Sequence, residues 1–282
     1  MGKNLKITVL SNVDQNDSGI IPYALKISKD LKGEVNVIHV IDTRTSQGIY
    51  TPYSDSQSVT PGVESYHDIL AKKQEVVEDY LAKHMGREVS VLNYPLRVNY
   101  EVQLGHLDEI IIEKTEKDND LLVMNARPKG KVWENYEEVF DIISITGNPV
   151  LLIPQNIKYR TPREIAFVEN MENDHSDQMK KLLEIFEEVP IQLLAVNISG
   201  NGDLKQKLKT DPSWQHIVSK WDQYLAIPEA ETDEILAVAN QHRADLIILF
   251  EKKRNLLKRI ISKSLTEKLA EKSDKPLLVF YN

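Results

Sequence analysis

Asp120-Leu121-Leu122-Val123-Met124 and Asp245-Leu246-Ile247-Ile248-Leu249 are one phrase written twice. So are Pro149-Val150-Leu151-Leu152-Ile153 and Pro276-Leu277-Leu278-Val279-Phe280. Leu5-Lys6-Ile7-Thr8-Val9 finds a fainter echo in Arg163-Glu164-Ile165-Ala166-Phe167. Three apolar runs recurring in one order imply two copies of a single domain. Each run is too short for a core helix. Each also carries branched residues at adjacent positions, as a strand covered on both faces of a parallel sheet does.

The remaining sequence supplies the connections. Strands are expected at Leu5–Leu10, Glu34–Ile41, Arg97–Leu104, Leu121–Asn125 and Val150–Ile153 of the first half. Between them, Pro22–Leu31 repeats apolar side chains at Tyr23, Ala24, Ile27 and Leu31, a helical spacing. Lys32-Gly33 reads as its stop, with a cation in the last turn and glycine just beyond. Further helices are expected over Ile69–His84, closed by Gly86, and over Leu107–Lys117. The second half repeats the scheme. Its strands are expected at Ile165–Glu169, Ile191–Asn197, Tyr224–Ile227, Leu246–Phe250 and Leu277–Tyr281. Its helices are expected at Ser176–Phe186, from Leu204 towards Lys220, at Thr232–His242 and at Leu256–Glu271. Alternating strands and helices build right-handed βαβ units and a parallel sheet. The expected domains are residues 1–155 and 160–282, joined through the short polar stretch Pro154–Arg160, so the halves should touch closely. Thr43–His67, rich in Ser, Thr, Tyr, Gly and Pro, reads as a surface excursion.

Composition excludes several function classes. A length of 282 residues suits two domains. A net charge of −8 speaks against a general nucleic-acid or anionic-membrane surface. The absence of cysteine removes disulfides, thiolate catalysis and cysteine-based metal sites. The N-terminus lacks the apolar stretch of a signal peptide, and no run approaches the ~20 apolar residues of a membrane span. The expected location is the cytoplasm.

Three segments carry a resemblance to a known family. They are Ala244-Asp245-Leu246-Ile247-Ile248-Leu249, then Ser264-Leu265-Thr266-Glu267-Lys268-Leu269, then Lys275-Pro276-Leu277-Leu278-Val279. In the first half, Glu34–Asp42 is similar to the family's second strand, and Gly105-His106-Leu107-Asp108-Glu109-Ile110 to the turn into its third helix. The chain resembles a tandem universal stress protein over essentially its whole length. The resemblance implies two Rossmann-like α/β domains of the adenine nucleotide alpha hydrolase-like kind. Each would be a five-stranded parallel sheet of order 3-2-1-4-5 with helices on both faces, and the two would pack as a pseudo-dimer.

Nucleotide-binding members of that family carry an acid at the end of the first strand and the pattern G-x2-G-x9-G-(S/T) after the fourth. Glycines let the backbone approach the phosphates, and free N–H groups receive the charge. Here the acid position matches Asn12 in one half and Asn170 in the other. In the second half the glycine positions match Phe250, Lys253 and Lys263, and only Ser264 agrees. In the first half Asn125 and Pro128 take the first two, the third falls near Tyr136 or Glu137, and Gly130 lies out of register. Phe250 puts a ring where a bare backbone is needed, and Pro128 removes an N–H donor. Lys253, Arg254 and Lys263 remain able to attract an anion. The crevice positions to weigh are Asn12, Val40, His106, Asn125, Asn170, Phe250, Lys253, Arg254, Lys263 and Ser264.

Other candidates weigh less. His39 lies in an apolar strand and reads as a buried, hydrogen-bonded side chain. His106 follows Gly105 at a strand-to-helix turn, on the edge where open α/β folds bind ligands. His67, His84, His175, His216 and His242 show no metal-ligand spacing and read as solvated. No nucleophile elbow, Walker or Rossmann glycine pattern is present, nor H-x-G-H or S-G-G-x-D-S. Glu137-Glu138 and Glu187-Glu188 read as solvated helical faces. The basic run Lys252–Ile261 is read as a solvated helix face or as an anion or acidic-partner site. Trp214, Trp221 and Tyr224 read as core, while Tyr50, Tyr53 and Tyr66 mark a loop or a partner surface. No catalytic or metal-ligating residue is assigned and no cofactor is expected.

The function expected is a non-enzymatic stress-response or regulatory protein with degenerate nucleotide sites, acting through a protein partner or small ligand. No nucleic-acid or membrane partner is expected; a homodimer beyond the internal pseudo-dimer stays open. The alternative is a nucleotide or anion binder using an altered pocket of Lys253, Arg254, Lys263 and Ser264. An enzyme of a related nucleotide-handling group is the third reading.

Overall fold

The computed structural model of the chain describes residues 5–11, 19–43, 66–116, 120–127, 140, 143–144, 146–169, 175–198, 221–252 and 263–281. The first half contributes β1 (Leu5–Ser11), α1 (Ile20–Asp30), β2 (Gly33–Asp42), α2 (Tyr66–Ser90), β3 (Val98–Gly105), α3 (Leu107–Glu116), β4 (Leu121–Asn125) and β5 (Val150–Ile153). The second contributes β6 (Glu164–Glu169), α4 (Ser176–Ile185), β7 (Gln192–Asn197), β8 (Trp221–Ala226), α5 (Thr232–Gln241), β9 (Leu246–Glu251), α6 (Leu265–Lys272) and β10 (Leu277–Tyr281).

All ten strands lie in one sheet, ordered β3-β2-β1-β4-β5-β10-β9-β6-β7-β8. Read outwards from the middle, each half has the same order, as the repeat implied. Pairing is parallel within each half. The junction is antiparallel: Leu277, Leu278 and Val279 of β10 stand opposite Leu152, Leu151 and Val150 of β5. Each half's last strand therefore covers the other's edge, which would otherwise expose a row of unpaired backbone groups.

The two faces of this sheet carry separate cores. On one, alternate residues such as Ile7, Val9, Val37, Val123, Leu151, Phe167 and Ile248 pack with α1, α2 and α4. On the other, Leu10, Val40, Leu122, Leu152, Val168, Ile247 and Val279 pack with α3, α5 and α6. Period-two alternation sends neighbours to opposite faces. That is why these strands are apolar at nearly every position. β3, at one end of the sheet, is half exposed, with Tyr100 at 44% and Leu104 at 42%.

Local signals were overridden in two places. α2 does not stop at Gly86 but runs on to Ser90. A side chain at Gly86 would meet nothing within 4 Å, and the buried Leu81 and Met85 anchor the helix just before it. A mid-helix glycine costs only ~1 kcal/mol, less than such anchoring gains. Val76, counted in the apolar pattern, is 67% exposed. After α1, the left-handed turn is taken by Lys32 (φ 52°) and not by Gly33. Gly33 opens β2 because a Cβ there would lie 2.8 Å from Ile7 Cδ1 and 2.9 Å from the Leu5 carbonyl oxygen. Its role is steric. The strand expected at Tyr224–Ile227 begins earlier, at Trp221, and ends at Ala226. The helix expected from Leu204, and most of Thr43–His67, lie outside the described residues, and α6 is described from Leu265.

The joining segment is fastened to α1. Tyr159 meets Tyr23 edge-to-face at 5.0 Å. Its hydroxyl donates to the Asp30 carboxylate, which also accepts from Thr161 Oγ1 at 2.6 Å. Burial, then the hydrogen bond and charge of Asp30, push the Tyr159 phenol well above its ordinary value. A raised phenol contributes stability that is fully present below pH ~10 and is lost as pH climbs towards the folded-state value. Tyr159→Phe is expected to cost about 1–3 kcal/mol near neutral pH, the usual range for a bond to a charged acceptor. It should also flatten the loss of stability above pH ~10. Urea unfolding across that range checks both, and an unchanged midpoint at neutral pH would show that this contact does not hold the join.

Candidate functional site

In an open α/β sheet, ligands bind beyond the carboxyl ends of the strands, where loops and helix N-termini converge. In the second half that edge is formed by the ends of β6, β7 and β9. Phe250 lies on β9, and its ring is buried among Phe167 (5.0 Å), Phe280 (5.3 Å) and His175 (5.1 Å), each edge-to-face. β9 does not turn away at this point. Phe250 is paired in register with Phe280, and Glu251 with Tyr281. A phosphate loop needs these residues bare and their amides directed at a ligand. Here they continue the strand, and the first position carries a ring.

A second group closes the same region. Glu169 ends β6, and its carboxylate lies 2.9 Å from His175 Nδ1, with both side chains almost wholly buried. Nε2 of that ring has no hydrogen-bond partner among the described residues. His175 was read as solvated; the structure corrects this. It immediately precedes α4, whose Met179, Leu182 and Ile185 face the core, and it is drawn inside with them. Sequence reasoning also passed over Glu169. A lone acid at the end of a strand has no local signal of burial, and its partner is fixed only by the fold.

Ser264 and Lys263 serve the helix that follows. Ser264 is the N-cap of α6: its Oγ accepts from Glu267 N at 3.1 Å, and its own N–H donates to the Glu267 carboxylate at 2.9 Å. This reciprocal box satisfies helix-end donors that a phosphate would otherwise use. Lys263 Nζ pairs with Glu271. Lys253, Arg254 and Asn170 lie outside the described residues, as do Asn12, Pro128 and Gly130 of the first half.

In the first half, Val40 is buried in β2 at 4% exposure, on the α3 face. Asn125 ends β4 opposite Ile153 and is half-buried. His106 is exposed between β3 and α3, with Nδ1 3.5 Å from Glu109. Val40, Asn125 and His106 thus lie on or beside three different strands, β2, β4 and β3. Two polar groups are buried here. Asp42, at the end of β2, accepts from Leu107 N at 3.1 Å and caps α3. His39 is buried as expected, its Nδ1 3.0 Å from the Ser11 carbonyl. Among the described residues, no group of three or more His, Asp or Glu side chains is placed to hold a metal ion. No described helix is long and apolar enough to cross a membrane.

Comparison with known proteins follows the same division. Residues 228–280, from the approach to α5 through β10, match the universal stress protein family. No curated protein matches the chain. The whole fold is similar to that of a universal stress protein from Archaeoglobus fulgidus DSM 4304, at 14% identity and a TM-score of 0.69, over 98% of this chain and 96% of that one. A candidate universal stress protein from Pseudomonas aeruginosa UCBPP-PA14 is similar at 12% identity and a TM-score of 0.55, over 98% and 92%. Residues 228–280 thus carry the family's sequence pattern, and the whole chain shares the α/β fold of these structures, as the resemblance implied.

The ring cluster generates a direct expectation. Phe250→Ala should cost about 3–5 kcal/mol, the range for emptying a fully packed aromatic site. His175→Ala should be comparably damaging, because it removes a buried ring from the cluster and a buried hydrogen bond to Glu169. Urea unfolding of both variants checks this; losses under about 1 kcal/mol would mean that the cluster does not shut the crevice.

Proposed function

We propose that this chain is a non-enzymatic regulatory protein of the universal stress type whose ancestral nucleotide crevice has been converted into core in the second half. The observation that carries this reading is Phe250. Its ring is packed against three others, and its residue is paired in register with Phe280 where a phosphate loop would leave the strand. The Ser264–Glu267 box supports it by occupying donors at the start of α6. In the first half the support comes from Asn125, a side chain standing where a bare backbone is required.

The protein then works through surfaces and not through turnover. Its partner is another protein or a small ligand, and not a nucleic acid or membrane, in keeping with a net charge of −8. Absence of cysteine suits the cytoplasm. β10 already pairs with β5, so a second copy is not needed to cover that edge. No resident cofactor belongs to this reading.

Isothermal titration with ATP and Mg²⁺ is the test. The expected result is no stoichiometric heat at micromolar concentration; tight binding abolished by changing Lys263 or Ser264 would favour an altered second-half pocket instead.

A further inference from the structure

A polar cleft lies at the seam between the halves, beside the carboxyl ends of β4 and β5. It encloses about 610 Å³, within the range of small-ligand sites. Five cations line it: Arg127, Lys158, Arg160, Lys272 and Lys275, against the carboxylates Asp245 and Asp274. We propose that this cleft binds a small, highly charged phosphate compound, such as an inorganic polyphosphate or a compact phosphate ester.

The cations come from four separate places. Arg127 follows β4, Lys158 and Arg160 sit in the joining segment, Lys272 ends α6, and Lys275 leads into β10. They converge because β5 and β10 pair antiparallel, which brings the carboxyl end of one half's sheet beside the amino end of the other's. Gathering like charges is unfavourable in a chain of net charge −8, where acids are plentiful elsewhere.

The two lining acids, Asp245 and Asp274, offset only part of the five positive charges. Asp245 is engaged with backbone, accepting from Arg163 N at 3.1 Å and Glu164 N at 3.2 Å. Lys272 is already paired with Asp233 at 2.8 Å. Arg127 donates through Nε to the Ala270 carbonyl at 2.9 Å and reaches the Ser273 carbonyl at 3.5 Å, capping α6. Its other guanidinium donors are not used in those bonds. Lys158, Arg160 and Lys275 make no ion pair among the described residues. Three long cations around a cavity, with one guanidinium held rigid beside them, suit an anion with several oxygens.

The wall also selects against a nucleobase. Its apolar members, among them Pro154, Ile157 and Pro276, are small, and Tyr23 is only 3% exposed. Among the described lining residues no ring is exposed for stacking a base, and charge dominates the surface offered to a ligand. A ligand held this way would bridge both halves and stabilise the seam by binding the folded state alone.

The test uses the full chain and sodium pyrophosphate as probe, in low-salt buffer, followed by calorimetry and thermal unfolding. Pyrophosphate is expected to raise the melting temperature, and added salt should weaken the effect. Lys158→Ala with Arg160→Ala, both exposed, should leave the ligand-free melting temperature unchanged and weaken binding by about tenfold or more. Lys180→Ala with Lys268→Ala, on exposed helix positions, should change nothing. No binding by the natural chain overturns the proposal, as does equal weakening in both double variants. ATP binding that survives the Lys158/Arg160 change would count against the closed crevice and leave the cleft standing.

Discussion

Three residue pairs of antiparallel ladder, Val150 with Val279, Leu151 with Leu278 and Leu152 with Leu277, make this molecule one object. Without them each half ends in a bare, wholly apolar edge strand, a form that invites association. With them ten strands share one sheet, and each of its two faces carries a core that draws residues from both halves. The joining segment reinforces the seam. Tyr159 and Thr161 both reach Asp30 at the end of α1, and Lys32 pairs with Glu188 across the halves at 2.7 Å. That last pair is exposed and contributes little. The apolar ladder and the buried aromatic contact matter more.

In the second half the carboxyl end of β9 is packed into the core. A phosphate cradle needs backbone amides left unpaired and a strand that ends early. Here β9 stays paired to its end, with Phe250 and Glu251 in register with Phe280 and Tyr281. Once Phe250 lies inside, Phe167, Phe280 and His175 can close around it, and Glu169 gains a buried partner. Each step adds packing and removes a vacancy. Stability and phosphate binding compete for the same few residues, and these side chains favour stability.

The repeated runs were legible because a strand covered on both faces must be apolar throughout, a local and unambiguous demand. Helix ends were less so. Gly86 looked like a stop, yet Leu81 and Met85 hold the helix through it. Gly33 looked like a helix terminator, yet its smallness is needed by Ile7 and Leu5 across the strand pair. Phe250 was legible as a strand residue from its apolar run. The burial of His175 was not legible, since it depends on Glu169 and on a ring from a distant strand.

The sequence by itself determined that there are two α/β units of one kind and how strands and helices alternate along each. These follow from periodicity and repetition, carried by single residues and their neighbours. Only the tertiary structure decided that the two sheets fuse into one, that Glu169 and His175 meet, and that Arg127, Lys158, Arg160, Lys272 and Lys275 share a cleft. Those arrangements depend on contacts between residues far apart in the chain, and no local pattern encodes which distant partner a side chain will find.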